Sequence, residues 1–333
     1  MPPVSQSRSL ARCTYGDGMT GTSSDHSVSQ RAWLLFGAMC VIWGIPYLLI
    51  RVAVREVSPE FLVLARTGLA ALLLVPIAAT RGELRPLLRH RTALLIFTAV
   101  EIAIPWLFLA SAEQHLSSSL AGLLIAAVPL VGAVVVWATG GRDGLDRIGA
   151  VGLLVGFAGV AAIVGVDVGG ASIRPLLEMA VVVVCYAVGP IILARYLSDA
   201  PALGVIAASL AMTAVVYVPI AAFSFPTTMP AGRVVASLVT LALVCTALAF
   251  LLFFALIGEM GPVRATVITY VNPAVAAVLG VTILDERFTV SMGVGFALVL
   301  VGSVLATRRG RKAAPPVPQP AEAGGAATAL ADR

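Results

Sequence analysis

Apolar stretches of roughly 20 residues, separated by short polar connections, follow one another from Arg31 to Ala306. At a rise of about 1.5 Å per residue, each stretch is long enough to cross roughly 30 Å of hydrocarbon as a helix. The pattern predicts ten transmembrane helices and therefore an all-α integral membrane protein. Their predicted bounds are 32–53, 59–79, 93–111, 117–138, 146–166, 174–196, 202–223, 234–257, 263–283 and 290–307.

Composition supports a membrane protein. The chain of 333 residues has 59% hydrophobic residues, 12% charged residues and a mean hydropathy of +0.99, which leaves too few charges to cover a water-soluble surface. Residues 1–31 are rich in Ser, Thr and Gly, whereas residues 308–333 are rich in Pro and Ala. Neither segment has enough apolar surface to build a core, so both are predicted to be disordered cytoplasmic tails.

The distribution of arginine predicts the orientation. Cytoplasmic loops of membrane proteins carry an excess of Arg and Lys. The connection RGELRPLLRHR at 81–91 holds four arginines, and the segment RRGRK follows the last predicted helix. We therefore expect a multi-pass protein of a bacterial-style plasma (inner) membrane, with both termini in the cytoplasm.

The chain also contains an internal duplication. The stretch Ala265–Gly293 has a counterpart 144 residues earlier, and the same offset places Pro273 on Pro129 and Pro190 on Pro46. Each predicted repeat holds five helices, so the second copy enters the membrane from the opposite face. Such inverted-topology repeats are typical of secondary transporters, although a duplication that only enlarged the bundle is the alternative. The predicted repeats cover residues 32–166 and 174–307.

Several motifs, in their order and spacing, resemble the EamA-type members of the drug/metabolite transporter superfamily. They are Trp43-Gly44-Ile45-Pro46 with Arg51 beyond it, Arg66, the stretch LASAEQHLSSSLAGLLIAAVPLVGA at 109–133, the related stretch 261–277, and the Asp285-Glu286-Arg287 turn. The resemblance implies a ten-helix carrier of two repeats with a central cavity, which moves amino acids, other metabolites or toxic compounds, usually outward. One departure is that Arg142 occupies the position in the first repeat that corresponds to Glu286.

Two charges lie deep within the predicted helices, Arg66 in the second and Glu101 in the third. An ionised side chain in hydrocarbon costs a few kcal/mol or more unless it faces protein or water. The depths predicted for the two residues differ by roughly 7–8 Å, so they are within reach of an ion pair. Three interpretations compete: a structural clamp between the helices, a proton-coupling role for Glu101, and direct binding of an ammonium group by Glu101.

Prolines and polar or aromatic residues inside the helices predict the substrate cavity. A proline removes a helix hydrogen bond, and such breaks occur at membrane depth where a neighbouring helix or a watery cavity satisfies the freed carbonyl. Packing, interhelical hydrogen bonds and membrane-interface anchoring are the competing roles for these residues. The candidates for the cavity are Trp43, Pro46, Tyr47, Arg66, Glu101, Trp106, Pro129, Tyr186, Pro190, Tyr270, Asn272 and Pro273.

Motif searches argue against an enzyme. The sequence contains no HExxH, GxSxG, P-loop or Cys/His cluster, so we predict no catalytic residue, no metal site and no cofactor. We predict a secondary active transporter with efflux as the expected direction and with Glu101 as the candidate for proton coupling. The alternatives are an amino-acid or sugar importer or facilitator, and a non-transporting membrane scaffold or sensor. The expected partners are a small-molecule substrate and the lipid bilayer, without nucleic acid, and the glycines of helices 5 and 10 suit either intrachain packing or a homodimer.

Overall fold

A computed structural model describes residues 29–139, 146–165 and 172–308, and these residues form helices and connections without a β-strand. Nine of the described helices are long and apolar enough to cross a membrane, and a tenth apolar helix is shorter. The predicted tails fall outside the described residues except for 29–31 and 308. In chain order the helices are α1 (Gln30–Ala53), α2 (Pro59–Thr80), α3 (Arg85–Ala112), α4 (Ser118–Ala138), α5 (Arg147–Gly165), α6 (Arg174–Tyr196), α7 (Ala202–Ser224), α8 (Gly232–Met260), α9 (Ile268–Leu284) and α10 (Val290–Thr307).

Most observed bounds lie within a few residues of the predicted ones, and α3 and α9 differ most. Helix α3 starts earlier than predicted because the connection Arg85–His90 forms a 3-10 helix that leads into it. Helix α9 starts five residues later than its predicted span because the chain is interrupted before it. Gly261 has a φ of 80°, the short helix Pro262–Ala265 follows, and α9 proper begins at Ile268.

The helices pack in pairs that follow the duplication. Helix α2 packs on α7, α4 on α9 and α5 on α10, so each contacts its own counterpart in the other repeat. The contact of α3 with α6 is matched by that of α8 with α1, which is the same pair with the repeats exchanged. This is the arrangement expected for two copies related by an approximate two-fold axis.

Helices α5 and α10 make the closest backbone contact between the repeats. A Cβ on Gly302 would lie 2.5 Å from Cα of Gly156 and 2.6 Å from the carbonyl oxygen of Gly152. A Cβ on Gly159 would likewise lie 2.6 Å from the carbonyl oxygen of Gly295. Small residues let helices approach where lipid supplies no hydrophobic drive for association. These glycines are therefore used within one chain, and the homodimer stays a prediction.

Several helices depart from α-helical geometry inside the bundle. Helix α1 is interrupted at Trp43 and Gly44, and α4 is interrupted at Ala126 and Ala127. Helices α3 and α8 each contain a π-helical segment, at Ala99–Ala103 and Leu243–Leu248, and the two segments start 144 residues apart. The π-helical segments thus recur at matched positions of the two repeats, and such segments are frequent at functional sites.

At one end of the bundle Glu286 joins the two repeats. Its carboxylate accepts hydrogen bonds from the backbone N–H groups of Ser118 (2.8 Å) and Ser119 (2.9 Å), and from both serine hydroxyls (3.1 and 2.6 Å). These N–H groups belong to the first turn of α4, which has no partners for them within the helix. Asp285, just before it, adopts the left-handed conformation (φ 54°) that reverses the chain after α9.

Three further carboxylates make comparable contacts between an end of one helix and the start of another. Each connects the repeats, because the carboxylate and its partner always come from different copies. The contacts are Glu56 with the N–H of Ala231 (2.8 Å) and with Arg233 (2.8 Å), Glu83 with the N–H of Gly204 (3.0 Å), and Glu259 with the Ser29 hydroxyl (3.0 Å) and Arg31 (3.4 Å). Glu56 and Glu286 lie at one end of the bundle, and Glu83 and Glu259 lie at the other.

Candidate functional site

Arg66 lies in the middle of the bundle, on α2, with only 7% of its surface exposed. Its guanidinium carbon is 3.6 Å from the ring centroid of Trp106 on α3, which is a cation–π contact. Its Nε donates a 2.9 Å hydrogen bond to the hydroxyl of Thr246, in the π-helical segment of α8. That hydroxyl in turn donates to the carbonyl oxygen of Leu241 (2.8 Å), so the π-helical segment fixes the group that orients Arg66.

Glu101 lies in the π-helical segment of α3, beside α6. Its Oε2 atom occupies the space that Gly189 leaves by having no side chain, and a Cβ at that position would collide with it. Oε2 is enclosed and has no hydrogen-bond partner among the described residues. Oε1 is not among the enclosed unpartnered atoms and makes no hydrogen bond with a described residue, so it borders accessible space.

Arg66 and Glu101 do not form an ion pair in this conformation. Within the described part of the chain, no carboxylate oxygen lies within 4.0 Å of the Arg66 guanidinium. Tyr186 of α6 is an electrostatic neighbour of each of the two residues. The structural clamp proposed from the sequence is therefore absent from this conformation, and neither charged group has a counter-ion among the residues described.

Glu113 was not among the residues predicted for the site. It directly follows α3 and is fully buried, and both its carboxylate oxygens are enclosed and unpartnered among the residues described. Its backbone carbonyl accepts a hydrogen bond from the side chain of Arg51. Arg66 and Glu286 are its other charged neighbours. The third helix predicted from the sequence ends at residue 111, so nothing in the sequence indicated that Glu113 is buried.

Glu178 is a buried glutamate whose carboxylate does have partners. Glu178 on α6 is 6% exposed, and its Oε1 accepts from Ser111 (3.0 Å) and from Arg174 (2.9 Å). Its carboxylate is thus satisfied in the ordinary way for a buried ion. By contrast, Glu101 has one enclosed carboxylate oxygen and Glu113 has two that have no hydrogen-bond partner among the described residues.

The predicted aromatic residues fall into two groups. Tyr47 is buried at 7% exposure and lies close to Arg66, Tyr186 and Glu113, so it belongs to the central cluster. Trp43, one turn earlier, faces α8 instead, with ring centroids 4.8 Å from Phe253 and 5.9 Å from Phe250. Tyr270 on α9 is partly buried, and no described contact joins it to Arg66.

Asn272 is buried (8% exposed) and bridges α9 and α1 at the interruption of α1. With its amide nitrogen facing two carbonyl oxygens, it donates to Cys40 (3.1 Å) and to Ile268 (2.9 Å). The Cys40 carbonyl is available because the N–H of Gly44 bonds to Val41 instead. These contacts are those of an interhelical hydrogen bond, and a cavity role for Asn272 stays a prediction.

The prolines predicted as paired bending points behave differently in the two repeats. Pro46 and Pro129 each follow an interruption and occupy the first turn of the next helical piece, where the missing N–H is not needed. Pro190 and Pro273 lie inside continuous helices, and Pro190 is exposed on the outside of the bundle. The offset of 144 residues therefore aligns the prolines of the two repeats, but only the prolines of the first repeat directly follow a helix interruption.

A separate groove of about 420 Å³ lies between α2, α3 and α7. Its walls are apolar apart from Arg91, and none of the predicted cavity residues lines it. Within residues 29–139, 146–165 and 172–308, no group of three or more His, Cys, Asp or Glu side chains is placed to hold a metal ion. The central cluster around Arg66 is therefore the candidate site.

Comparisons with known proteins agree with this architecture. The model of the EamA-like transporter family matches residues 30–165 and again 174–308, which confirms the resemblance and the duplication predicted from the sequence. The uncharacterized transporter YvbV of Bacillus subtilis (strain 168) is 24% identical over 285 residues, which are 84% of this chain and 93% of YvbV. A crystal structure of a protein with 21% identity superposes with a TM-score of 0.59, over 83% of this chain and 96% of the other, and supports the fold.

Proposed function

The chain belongs to the EamA-like transporter family, and from that premise we propose that it is a secondary active transporter working by alternating access. The ten helices would form two five-helix repeats of inverted topology, with both termini in the cytoplasm and the protein in the plasma membrane. The arginine-rich connection 81–91 supports this orientation. In it, Glu56 and Glu286 lie at the outer ends of the helices and Glu83 and Glu259 at the cytoplasmic ends.

The proposal depends on one observation. Charged groups that have no counter-ion among the described residues lie between helices, and these helices depart from regular α-helical geometry beside the charged groups. Arg66, Glu101 and Thr246 lie in or beside the two π-helical segments. A buried charge without a partner is costly and occurs at substrate and ion pathways in membrane proteins. A bundle whose helices only packed together would gain stability by replacing these groups with apolar residues.

Alternating access is supported by the way the repeats meet. Helix pairs α2–α7, α4–α9 and α5–α10 each join one copy to the other, so an exchange of conformations between the copies changes the bundle at both ends. Contacts between the repeats at both ends involve carboxylates that cap helix starts. Such contacts break and form without exposing apolar surface, as is required of the ends of a carrier.

We assign proton coupling to Glu101. Its Oε2 is enclosed without a partner, and its Oε1 makes no hydrogen bond with a described residue, so the carboxylate is not held in a structural ion pair. The expected direction is export of small metabolites, amino acids or amphipathic compounds, as the family resemblance implies.

Counterflow in proteoliposomes tests the transport proposal. The purified protein is reconstituted, loaded with each member of a panel of amino acids, nucleosides and cationic dyes, and exposed to a trace of the labelled compound. We expect accumulation of at least one labelled compound above the level in protein-free vesicles. If no compound exchanges under any imposed pH gradient, the proposal of transport is rejected in favour of a scaffold or sensor.

A further inference from the structure

We infer that Arg66 is the binding site for a carboxylate group of the transported solute, so that the substrate class is an organic acid or a zwitterion. This inference rests on the proposed function, since it names the chemistry of the solute at the central site. It comes from the geometry of the guanidinium and its neighbours.

The guanidinium has a free edge. An arginine side chain carries five N–H donors, and the single donor on Nε is used by Thr246. The two terminal nitrogens carry the other four and make no hydrogen bond with any described residue. Neither terminal nitrogen is fully enclosed, although the residue as a whole is only 7% exposed. Trp106 covers one face of the group and leaves this edge open.

This edge has the geometry that a carboxylate fits. Two parallel N–H···O bonds between guanidinium and carboxylate are a preferred pairing, and they are stronger than bonds between neutral groups. Trp106 and Thr246 already hold the guanidinium in place, so binding costs little further ordering of the side chain. The neighbouring rings of Tyr47 and Tyr186 offer apolar surface for the rest of a solute.

The acidic side chains nearest to Arg66 do not pair with it. Glu101 lies on α3 and Glu113 directly follows it, and neither places a carboxylate oxygen within 4.0 Å of the Arg66 guanidinium in the described part of the structure. The two glutamates are 12 residues apart, which is about 18 Å along a helix, and of the two only Glu113 is an electrostatic neighbour of Arg66. A solute carboxylate would supply the counter-ion that Arg66 lacks among the described residues.

A binding measurement tests the inference without requiring transport. The full-length protein is purified in detergent, and its Tm is recorded against increasing sodium benzoate, with benzamide as the uncharged planar isostere and sodium chloride at equal ionic strength. We expect benzoate to raise the Tm and benzamide and chloride to leave it unchanged. Equal shifts with benzoate and benzamide, or no shift with benzoate at any concentration, would overturn the inference.

Variants then assign the effect to Arg66. We expect Arg66→Met to abolish the benzoate shift and Arg66→Lys to weaken apparent affinity by at least about tenfold, since a point charge replaces the bidentate edge. Arg55→Met, which removes an exposed arginine, is expected to keep the shift. An undiminished shift in Arg66→Lys would contradict a bidentate site. If Arg66→Met does not fold, Arg66→Lys still tests the site because it keeps the positive charge.

Two further arms distinguish a carboxylate site from a phosphate site and from a cation site. Inorganic phosphate replaces benzoate in one arm, and a larger Tm shift with phosphate would reject the carboxylate assignment. In the other arm, counterflow compares phenylalanine with its methyl ester and with phenethylamine, and we expect exchange only of the carboxylate. If benzoate binds but no compound is exchanged, transport is rejected and the anion site is kept. If only cations are exchanged, and Arg66→Lys does not affect that exchange, the anion site is rejected and transport is kept.

Discussion

The two repeats share a backbone but not a distribution of charge. Helices α1–α5 and α6–α10 correspond in order and length, and their π-helical segments begin at matched positions, Ala99 and Leu243. The charges of the central cluster, however, are in the first repeat. The positions that correspond to Arg66, Glu101 and Glu113 are Leu210, Cys245 and Ile257. The two repeats therefore share a backbone with its π-helical segments, whereas the charges of the central cluster belong to one of them.

The largest effect is expected where the two copies approach most closely. Gly302→Leu places a side chain against the backbone of Gly152 and Gly156, where even a Cβ would be 2.5–2.6 Å from backbone atoms. The backbone cannot yield as a flexible side chain would, so we expect α5 and α10 to separate and the yield of folded protein to fall severalfold. Size-exclusion chromatography of detergent extracts measures this.

Gly132→Leu is the control for that experiment. Gly132 lies on α4, the helix before α5, and a Cβ there would meet nothing within 4 Å. We expect its elution profile and yield to match those of the wild type. If Gly302→Leu also gives wild-type yield, the two repeats do not depend on this contact for their assembly.

A second prediction concerns the charge that one repeat has and the other lacks. In Glu101→Gln the group can no longer bind and release a proton, so we expect transport driven by a pH gradient to fall by at least about tenfold while exchange at equal pH continues. Cys245→Ser changes the matched position of the second repeat and is expected to keep the gradient-driven activity. Unchanged activity together with unchanged pH dependence in Glu101→Gln would exclude both proton coupling and ammonium binding by this residue.

The sequence predicted the parts of the fold that periodicity and duplication encode. The bounds of α6 and α10 follow directly from apolar runs, and the offset of 144 residues matches the two family copies at 30–165 and 174–308. The π-helical segments were not predictable, because Ala99–Ala103 and Leu243–Leu248 share no composition that distinguishes them from regular helix. Their matched position became visible only through the backbone.

The site was predicted in part. Arg66 and Glu101 were found because a charge inside an apolar run is conspicuous in a sequence. Glu113 was missed because it comes one residue after the helix, where a glutamate is ordinary, and its burial depends on residues distant in the chain. The pairing of Arg66 with Glu101 was expected from depth alone, whereas the rotation of each side chain about its helix places Arg66 on Trp106 instead.

A third prediction concerns the contact of Glu286 with α4. The residue that corresponds to Glu286 in the first repeat is Arg142. In Glu286→Gln one carboxylate oxygen becomes an NH₂ group that faces the N–H donors of α4, so at least one charge-assisted bond is lost. We expect a loss of about 1–3 kcal/mol in the free energy of unfolding, measured as a lower Tm. The exposed neighbour Arg287, changed to Gln, is the control, and an equal decrease there would show that the effect is not specific to Glu286.

The smallest expected effect concerns Glu56, whose counterpart in the second repeat is Ala200. The N–H of Ala231 and, after it, the Arg233 side chain hold the pKa of the exposed Glu56 carboxyl below its ordinary value of 4.5. A carboxyl with a lowered pKa in the folded state contributes stability above its ordinary pKa, and this contribution disappears as the pH falls through the lowered value. Glu56→Gln should therefore decrease the Tm slightly near neutral pH and match the wild type in strong acid.

Asp285→Asn serves as the control, because it changes an exposed carboxylate in a backbone conformation that Asn accepts. A Tm difference for Glu56→Gln that persists in strong acid would show that the contact of Glu56 with α8 does not depend on charge.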